Sequence, residues 1–153
     1  SFHVGIIPAH RTSQSLVYAD LFAETMLLYC GARHPLFGQE HAALTWESLR
    51  AYQFAGLGYH SPNMEISQQL RLARKATGYD QEAIATLILS GAFLGFLPDH
   101  YAQSFVRAGQ MRAVDAAVFR YTCQFFAIAR RSPQAARATQ AFLECLMQAH
   151  RNQ

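Results

Sequence analysis

The sequence predicts a mixed α/β fold in which sheet and helices form layers. Short apolar segments with strand character alternate along the whole chain with segments of helical spacing. Hydrophobic residues make up 51% of the 153 residues and charged residues 15%, a composition typical of a globular protein with a core of its own. The longest apolar run, residues 84–98, is too short to cross a membrane and is broken by glycine. Because strand-like and helical segments alternate along the chain, we expect helices packed on a sheet with parallel pairing.

The first half of the chain predicts a strand that stops at a proline, followed by two longer apolar stretches. Pro8 ends the first strand because it cannot donate a ladder hydrogen bond. Thr45 is a suitable N-cap for a short helix because its hydroxyl can accept a main-chain N–H. The predicted elements are a strand at 2–7, a loop at 9–15, extended segments at 16–22 and 24–30, a turn-rich stretch from His34, a helix at 45–52, a strand at 54–57 and a helix at 64–70.

The second half predicts further strand and helix pairs, each with a recognisable start or stop. Asp80 and Asp99 are expected to cap helices, and Gly109 is suited to a helix end. Ser132 and Pro133 together predict an N-cap and first turn. The predicted elements are a strand at 71–76, a helix at 81–92, a strand at 93–97, a helix at 99–108, extended segments at 111–114 and 123–129, and a last helix with Ala135, Ala136, Thr139, Phe142, Leu143, Leu146 and Met147 on one face.

Charge, cysteine and histidine patterns argue against several kinds of site. The net charge of +3 comes from basic residues that are scattered, so no nucleic-acid patch is predicted. The three cysteines form no CxxC pair, and their apolar neighbours predict buried, reduced thiols in a cytoplasmic protein. The seven histidines contain no HxxH or HxxxH pair, so no metal ion is expected. No nucleophile, base and stabilising group can be assembled into a catalytic set, so we expect neither an enzyme nor a cofactor.

Residues 56–61, Gly-Leu-Gly-Tyr-His-Ser, come near to a dinucleotide fingerprint but lack its last glycine. No acidic residue ends a following strand at the usual distance. The preferred interpretation is the end of a strand that leads into the start of a helix. Main-chain N–H groups from Ser61 to Met64 would then suit a carboxylate or another anion. The simpler alternative is an ordinary loop in which Ser61 caps the helix.

Three stretches, in this order, resemble the effector-binding domain of LysR-type transcription regulators. The first is Leu-Phe-Ala-Glu at 21–24, which runs into an apolar strand and then His-Pro-Leu at 34–36. The second is Ser-Gly-Ala-Phe-Leu-Gly-Phe-Leu-Pro at 90–98, and the third is Gly-Gln-Met at 109–111, followed by the strand at 125–129 and Ser132-Pro133. Two positions depart from the family pattern: the first strand has no Asp near its start, and Gly91 is followed by Ala92 and Phe93 where the family has a second glycine sooner.

The resemblance implies a two-lobed fold of the periplasmic-binding-protein type 2, with a small effector between the lobes. Lobe one would be residues 1–30 and 118–153, and lobe two residues 34–115, all within one effector-binding domain of 1–153. Because the family's helix-turn-helix and first effector-domain strands have no counterpart here, we expect a chain that starts late and a first lobe that is incomplete. Effector contacts are expected from one loop and two strands, namely Gly5, Ile6, Tyr59, His60, Ser61, Gly95 and Phe96.

The resemblance also implies the partners: a small-molecule effector, a homodimer or tetramer, DNA only through the missing amino-terminal domain, and no membrane. Catalytic and metal-binding residues are expected to be absent. The alternative is a stand-alone solute-binding or enzymatic domain of the same two-lobed fold, since fold alone does not decide function. A dimerisation module is a third possibility if half of the cleft is missing.

Overall fold

A computed structural model describes residues 4–8, 12–59, 61–131 and 137–151. It contains seven strands and five helices within these ranges. In chain order these are β1 (Val4–Pro8), β2 (Leu16–Gly31), α1 (Trp46–Leu49), β3 (Gln53–Leu57), α2 (Pro62–Gln69), β4 (Ala73–Gly78), α3 (Gln81–Leu89), β5 (Leu94–Pro98), α4 (Asp99–Arg107), β6 (Met111–Ala113), β7 (Arg120–Arg130) and α5 (Arg137–Arg151). The predicted α/β class is confirmed.

Hydrogen-bonded strands follow the order β1-β7-β2-β5-β3-β4, and β6 pairs with β2. Parallel pairing is confirmed only for β3 with β4 and for β3 with β5. The pairs β1–β7, β2–β5 and β2–β6 are antiparallel. Parallel neighbours need a crossover connection, and α2 and α3 supply such connections only among β3, β4 and β5.

The chain divides into two compact units, one of Ser1–Glu24 with Cys123–Gln153 and the other of Thr25–Thr122. We call the first the split unit and the second the continuous unit. β2 and β7 each contribute residues to both units, and β2 is one strand where the sequence predicts two segments. The lobe bounds predicted from the sequence stay a prediction.

The continuous unit has its core where α3 and α4 pack on the sheet. All five residues of β5 are buried, as expected for a central strand covered on both faces. Gly31 and Gly95 leave room for close packing of α3 on β2 and β5, because a Cβ at either position would collide with Ile88. The main core cluster consists of Tyr29, Ala55, Ile84, Ala85, Ile88, Leu97, Ala102 and Met111.

Local capping rules account for most helix starts. Thr45 forms a capping box with Ser48, since each side chain accepts a hydrogen bond from the other residue's main-chain N–H. Asp80 caps α3 by accepting from the Ala83 N–H at 2.7 Å. The predicted Asp99 cap is wrong: β5 continues directly into α4, so Asp99 is already in the first turn and Pro98 occupies the cap position without a side-chain bond.

The split unit pairs β1 with β7 and adds α5. The Phe22 ring stacks on Phe125 with centroids 4.9 Å apart and also contacts the His150 ring at 4.9 Å. None of the described residues of α5 is buried, and Phe142, predicted to lie on its packed face, is 53% exposed. The predicted cap at Ser132 and Pro133 lies outside the described residues.

The cysteine prediction is correct at two positions and wrong at the third. Cys30 and Cys123 are buried thiols, whereas Cys145 lies exposed on α5. Its apolar neighbours in sequence do not bury it, because its position faces away from the half-buried side of the helix that carries Leu143, Leu146 and Met147.

Within the described ranges, no helix is both long enough and apolar enough to cross a membrane.

Candidate functional site

The carboxyl ends of the three parallel strands in the continuous unit lie at one edge of the sheet. The chain goes from the central strand β3 out to β4 on one side and then crosses to β5 on the other side. The connections therefore reverse direction between β3 and β5. In open α/β sheets a crevice forms at such a reversal, and ligands bind there beyond the carboxyl ends of the strands. This edge is the candidate site.

The loop after β3 joins that strand to the start of α2. Tyr59 in this loop is 45% exposed, so its ring is open to a ligand. Ser61 is buried and caps α2, with its hydroxyl oxygen accepting from the Met64 N–H at 3.3 Å. His60 lies outside the described residues. The capping role weighed for Ser61 from the sequence is confirmed, whereas its role toward a ligand remains a prediction.

The start of α2 has fewer main-chain donors for an anion than the sequence suggests. Pro62 has no N–H, the Met64 N–H bonds to the Ser61 hydroxyl, and the Glu65 N–H bonds to the Ser61 carbonyl oxygen at 3.1 Å. A ligand at this terminus would thus depend more on side chains of the loop than on the helix end itself.

Asn63 is a polar residue of the site that the sequence reasoning missed. It is 4% exposed, in the first turn of α2. Its Oδ1 accepts from the Leu57 N–H at 3.1 Å, and its Nδ2 donates to the Tyr121 hydroxyl at 3.3 Å. An Asn in a first helical turn is a weak signal, because such a side chain is equally suited to a local turn. Its partner is 58 residues away in sequence, beyond the reach of any local pattern.

A further side chain holds the loop from the β4 side. The Arg74 guanidinium donates to the Leu57 carbonyl oxygen at 3.2 Å. Gly56 permits this arrangement, because a Cβ there would contact both Arg74 and the Phe54 ring at about 3 Å. Arg74 thereby places a positive charge beside the loop, which suits an anionic group on a ligand.

Gly95 and Phe96 lie inside β5 and are buried. A Cβ at Gly95 would lie 2.9 Å from the Ile88 side chain, so this glycine allows α3 to pack closely. The Phe96 ring lies 5.0 Å from the Tyr121 ring in an edge arrangement, within a cluster that also includes Trp46, Phe54 and Phe119. The structure thus links Phe96 to Asn63 through Tyr121, while ligand contact from Gly95 or Phe96 stays a prediction.

Gly5 and Ile6 lie in β1, in the split unit, where they pair with Ile128 and Ala127 of β7. Ile6 is 49% exposed, and a Cβ at Gly5 would lie 3.2 Å from the Ile128 side chain. Their predicted contact with an effector is untested by this geometry and stays a prediction.

The start of α4 adds polar groups after β5. Asp99, His100 and Gln103 line a surface hollow of about 210 Å³. The His100 Nδ1 lies 3.7 Å from the Asp99 carboxylate, and both side chains are largely exposed. An exposed ion pair of this kind contributes at most about 1 kcal/mol to stability. The Asp99 and His100 side chains therefore lie at the edge of the candidate site but do not fix its geometry.

Burial raises the pKa of two side chains in the core of the continuous unit, Tyr29 and Cys30. Desolvation, with a further contribution from the Asp99 charge, raises the pKa of Tyr29 to about 12. Desolvation also raises the pKa of Cys30 to about 11. Both groups are therefore protonated at neutral pH, and the Cys30 thiol is not a reactive nucleophile.

No cluster of three metal-ligating side chains occurs among the residues that the structure describes.

Comparison with protein families gives one domain over nearly the whole chain. The family model described as the LysR substrate binding domain matches residues 1–151. Among curated proteins, the HTH-type transcriptional activator BauR of Pseudomonas aeruginosa is 30% identical over 144 residues, which are 94% of this chain. The chain spans 47% of the length of that relative.

Solved structures share the fold at low sequence identity. The effector binding domain of QuiR in complex with shikimate has a TM-score of 0.78 at 11% identity, with 99% of this chain and 73% of that chain covered. The regulatory domain of CcmR from Synechocystis PCC6803 in complex with 2-PG has a TM-score of 0.76 at 18% identity, with 98% and 74% covered. These likenesses establish a common fold.

Proposed function

This chain belongs to the LysR substrate-binding domain family, and we propose that it is the ligand-sensing domain of a LysR-type transcription regulator. The observation that carries the proposal is the family match over residues 1–151. A transcriptional activator at 30% identity supports the same assignment. The domain would sense its ligand rather than convert it, and the regulator would act on DNA in the cytoplasm.

The effector class that we propose is a small polar molecule with an anionic group. Two domains of the same fold are described in complex with small molecules, and one of these, shikimate, carries a carboxylate. In the continuous unit, Tyr59 and Ser61 are the proposed contacts on the loop after β3. Arg74 beside that loop would favour the negative charge. His60, Gly95 and Phe96, together with Gly5 and Ile6 of the split unit, remain proposed contacts.

Regulation would follow from a shift between two arrangements of the domain. An effector shifts such an equilibrium only if it binds one arrangement more tightly than the other. In the intact regulator, a homodimer or tetramer, this shift would change the spacing of DNA-binding helices that lie outside the present chain. DNA contact would be made through that further domain.

The ligand proposal is tested by thermal unfolding of the 153-residue protein with a panel of small carboxylic acids that includes shikimate. An acid at 100 times its Kd stabilises the folded state by about 2.7 kcal/mol, which raises the Tm by several degrees. The Tyr59→Ala variant should lose most of this shift, while Val118→Ala, which also alters an exposed apolar side chain, should keep it. A panel without any stabilising acid would count against an anionic effector.

Membership in a DNA-binding regulator is tested in the parent gene, and self-association of this domain is tested in solution. The reading frame upstream of Ser1 should encode a helix-turn-helix, and its absence would overturn the assignment to a DNA-binding regulator. Sedimentation of the 153-residue protein should show at least a dimer. A monomer at all concentrations would contradict the proposed self-association of this domain while leaving the sensing function open to the ligand test.

A further inference from the structure

The Asn63 side chain joins two segments of the continuous unit that are distant in sequence. Both of its amide atoms are used: Oδ1 accepts from Leu57 at the end of β3, and Nδ2 donates to the Tyr121 hydroxyl at the start of β7. At 4% exposure the amide cannot exchange these partners for water without moving the start of α2. A buried polar group with two partners has one preferred orientation, because losing either bond leaves an unsatisfied group.

We propose that Asn63 is a positioning residue that couples the loop after β3 to the crossover strand β7. This inference rests on the proposed function, since the loop is the proposed effector contact. It adds a route by which the state of that loop reaches the strand that carries the chain from one unit into the other.

The loop end of this route is held at Leu57. The Leu57 N–H bonds to Asn63, and its carbonyl oxygen bonds to Arg74. Ser61, which starts the helix that contains Asn63, lies four residues later and is tied to Met64. A ligand that moves Ser61 therefore moves the first turn of α2, and the Asn63 amide moves with it.

The strand end of this route is Tyr121, the second residue of β7. Its ring packs edge-on against Phe96 at 5.0 Å, which restrains the ring while its hydroxyl accepts from Asn63. Cys123, two residues further along β7, already belongs to the split unit. A displacement of the Tyr121 hydroxyl would thus move β7 close to the residue at which the chain passes from the continuous unit into the split unit. Coupling of this kind is carried by contiguous bonds and packed groups.

Amide hydrogen exchange of the ligand-free 153-residue protein, followed by NMR, tests the coupling. Tyr121→Phe removes only the hydroxyl that receives the Asn63 Nδ2 bond and keeps the ring against Phe96. We expect it to speed exchange of the Leu57 amide, which bonds to the other end of the same side chain, by about threefold or more. Tyr52→Phe removes a hydroxyl from a ring that packs on His34 instead, and it should leave Leu57 exchange unchanged.

A second exchange experiment tests the coupling from the α2 end toward β7, and it changes Ser61, the N-cap of α2. Ser61→Ala should speed exchange of the first β7 amides after Tyr121, and this effect should vanish when it is combined with Asn63→Leu, which removes both amide bonds. Unchanged Leu57 exchange in Tyr121→Phe would overturn the proposal, as would a response of the β7 amides to Ser61→Ala that survives Asn63→Leu. Because no ligand is used, failure of the coupling is distinguished from failure of effector binding, which the thermal shift panel decides.

Discussion

The His41 ring accepts a hydrogen bond at Nδ1 from the main-chain N–H of Asp115 at 3.2 Å. Asp115 has a φ of +41°, in the left-handed region that few non-glycine residues adopt. The His41 Nε2 lies 2.8 Å from the Leu36 carbonyl oxygen. Since Nδ1 acts as an acceptor, Nε2 carries the proton and donates to Leu36. One neutral imidazole therefore ties the 34–44 segment to the turn before β7.

Replacement of His41 should destabilise the continuous unit. His41→Ala would remove, at a 7% exposed position, the acceptor of the Asp115 N–H and the shorter of the two hydrogen bonds to the Leu36 carbonyl oxygen, which also accepts from the Gln39 N–H at 3.4 Å. We expect the free energy of unfolding to fall by about 2–4 kcal/mol, measured by urea denaturation. The matched change His100→Ala, at a side chain that is 65% exposed, should cost less than about 1 kcal/mol. Equal losses for the two variants would contradict the role of His41.

Stability should decline as the solution is made acidic, because of His34. Burial lowers the pKa of His34 below the ordinary histidine value of 6.5, and its Nδ1 accepts from the Leu36 N–H. The unfolded chain therefore binds the proton first as the pH falls, so the stability from this group is complete above pH 6.5 and is lost below it. Urea midpoints between about pH 8 and pH 5 measure this slope.

His34→Asn provides the control for that slope. The amide oxygen can still accept from Leu36 but does not titrate in this range. We expect a flatter dependence on pH below 6.5 than in the wild-type protein. If the two proteins lose stability in parallel, the acid sensitivity comes from another group.

A methyl group at Gly31 should not fit. Its Cβ would collide with the main-chain carbonyl oxygen of Ile88, which cannot move without disturbing the end of α3. Gly31→Ala should therefore lower the free energy of unfolding by about 1–3 kcal/mol. Gly38→Ala places the same methyl group where no atom lies within 4 Å, and it should change stability by less than about 0.5 kcal/mol. A stable Gly31→Ala protein would show that α3 packs less closely than the structure has it.

The split unit should depend on Phe22 far more than on Phe142. The Phe22 ring contacts both Phe125 and His150, whereas Phe142 is 53% exposed. Phe22→Ala should cost about 2–4 kcal/mol, because packing with β7 and α5 is lost. Phe142→Ala should cost less than about 1 kcal/mol. The opposite ranking in thermal unfolding would mean that α5 packs through a different face.

One cysteine should react much faster than the other two. Cys145 is exposed, while burial raises the pKa of Cys30 and of Cys123 to about 11. A thiol reagent at neutral pH should modify one thiol per folded chain quickly and the remaining two only after unfolding. Cys145→Ser should remove the fast phase. A fast phase that persists in this variant would show that a buried thiol is accessible.

The candidate site was only partly predictable from the sequence. Ser61 could be recognised as a helix cap, because the pattern that defines a cap spans three residues. The fold class followed from alternating strands and helices, and the family from three ordered stretches. Asn63 could not be recognised, because its importance depends on Tyr121, and nothing near Asn63 in sequence predicts that neighbour.

The sequence by itself determined the α/β class, the family and the local starts and stops, such as the caps at Thr45 and Asp80 and the left-handed Gly109 after α4. These features depend on residues within a few positions of one another, where the geometry of the chain leaves little choice. Only the tertiary structure decided which strands run antiparallel, which cysteine is exposed and which side chains bridge distant segments. The His41–Asp115 and Asn63–Tyr121 contacts join residues 74 and 58 positions apart. Packing of the whole sheet brings such distant residues together, and the residues next to them in sequence do not predict these contacts.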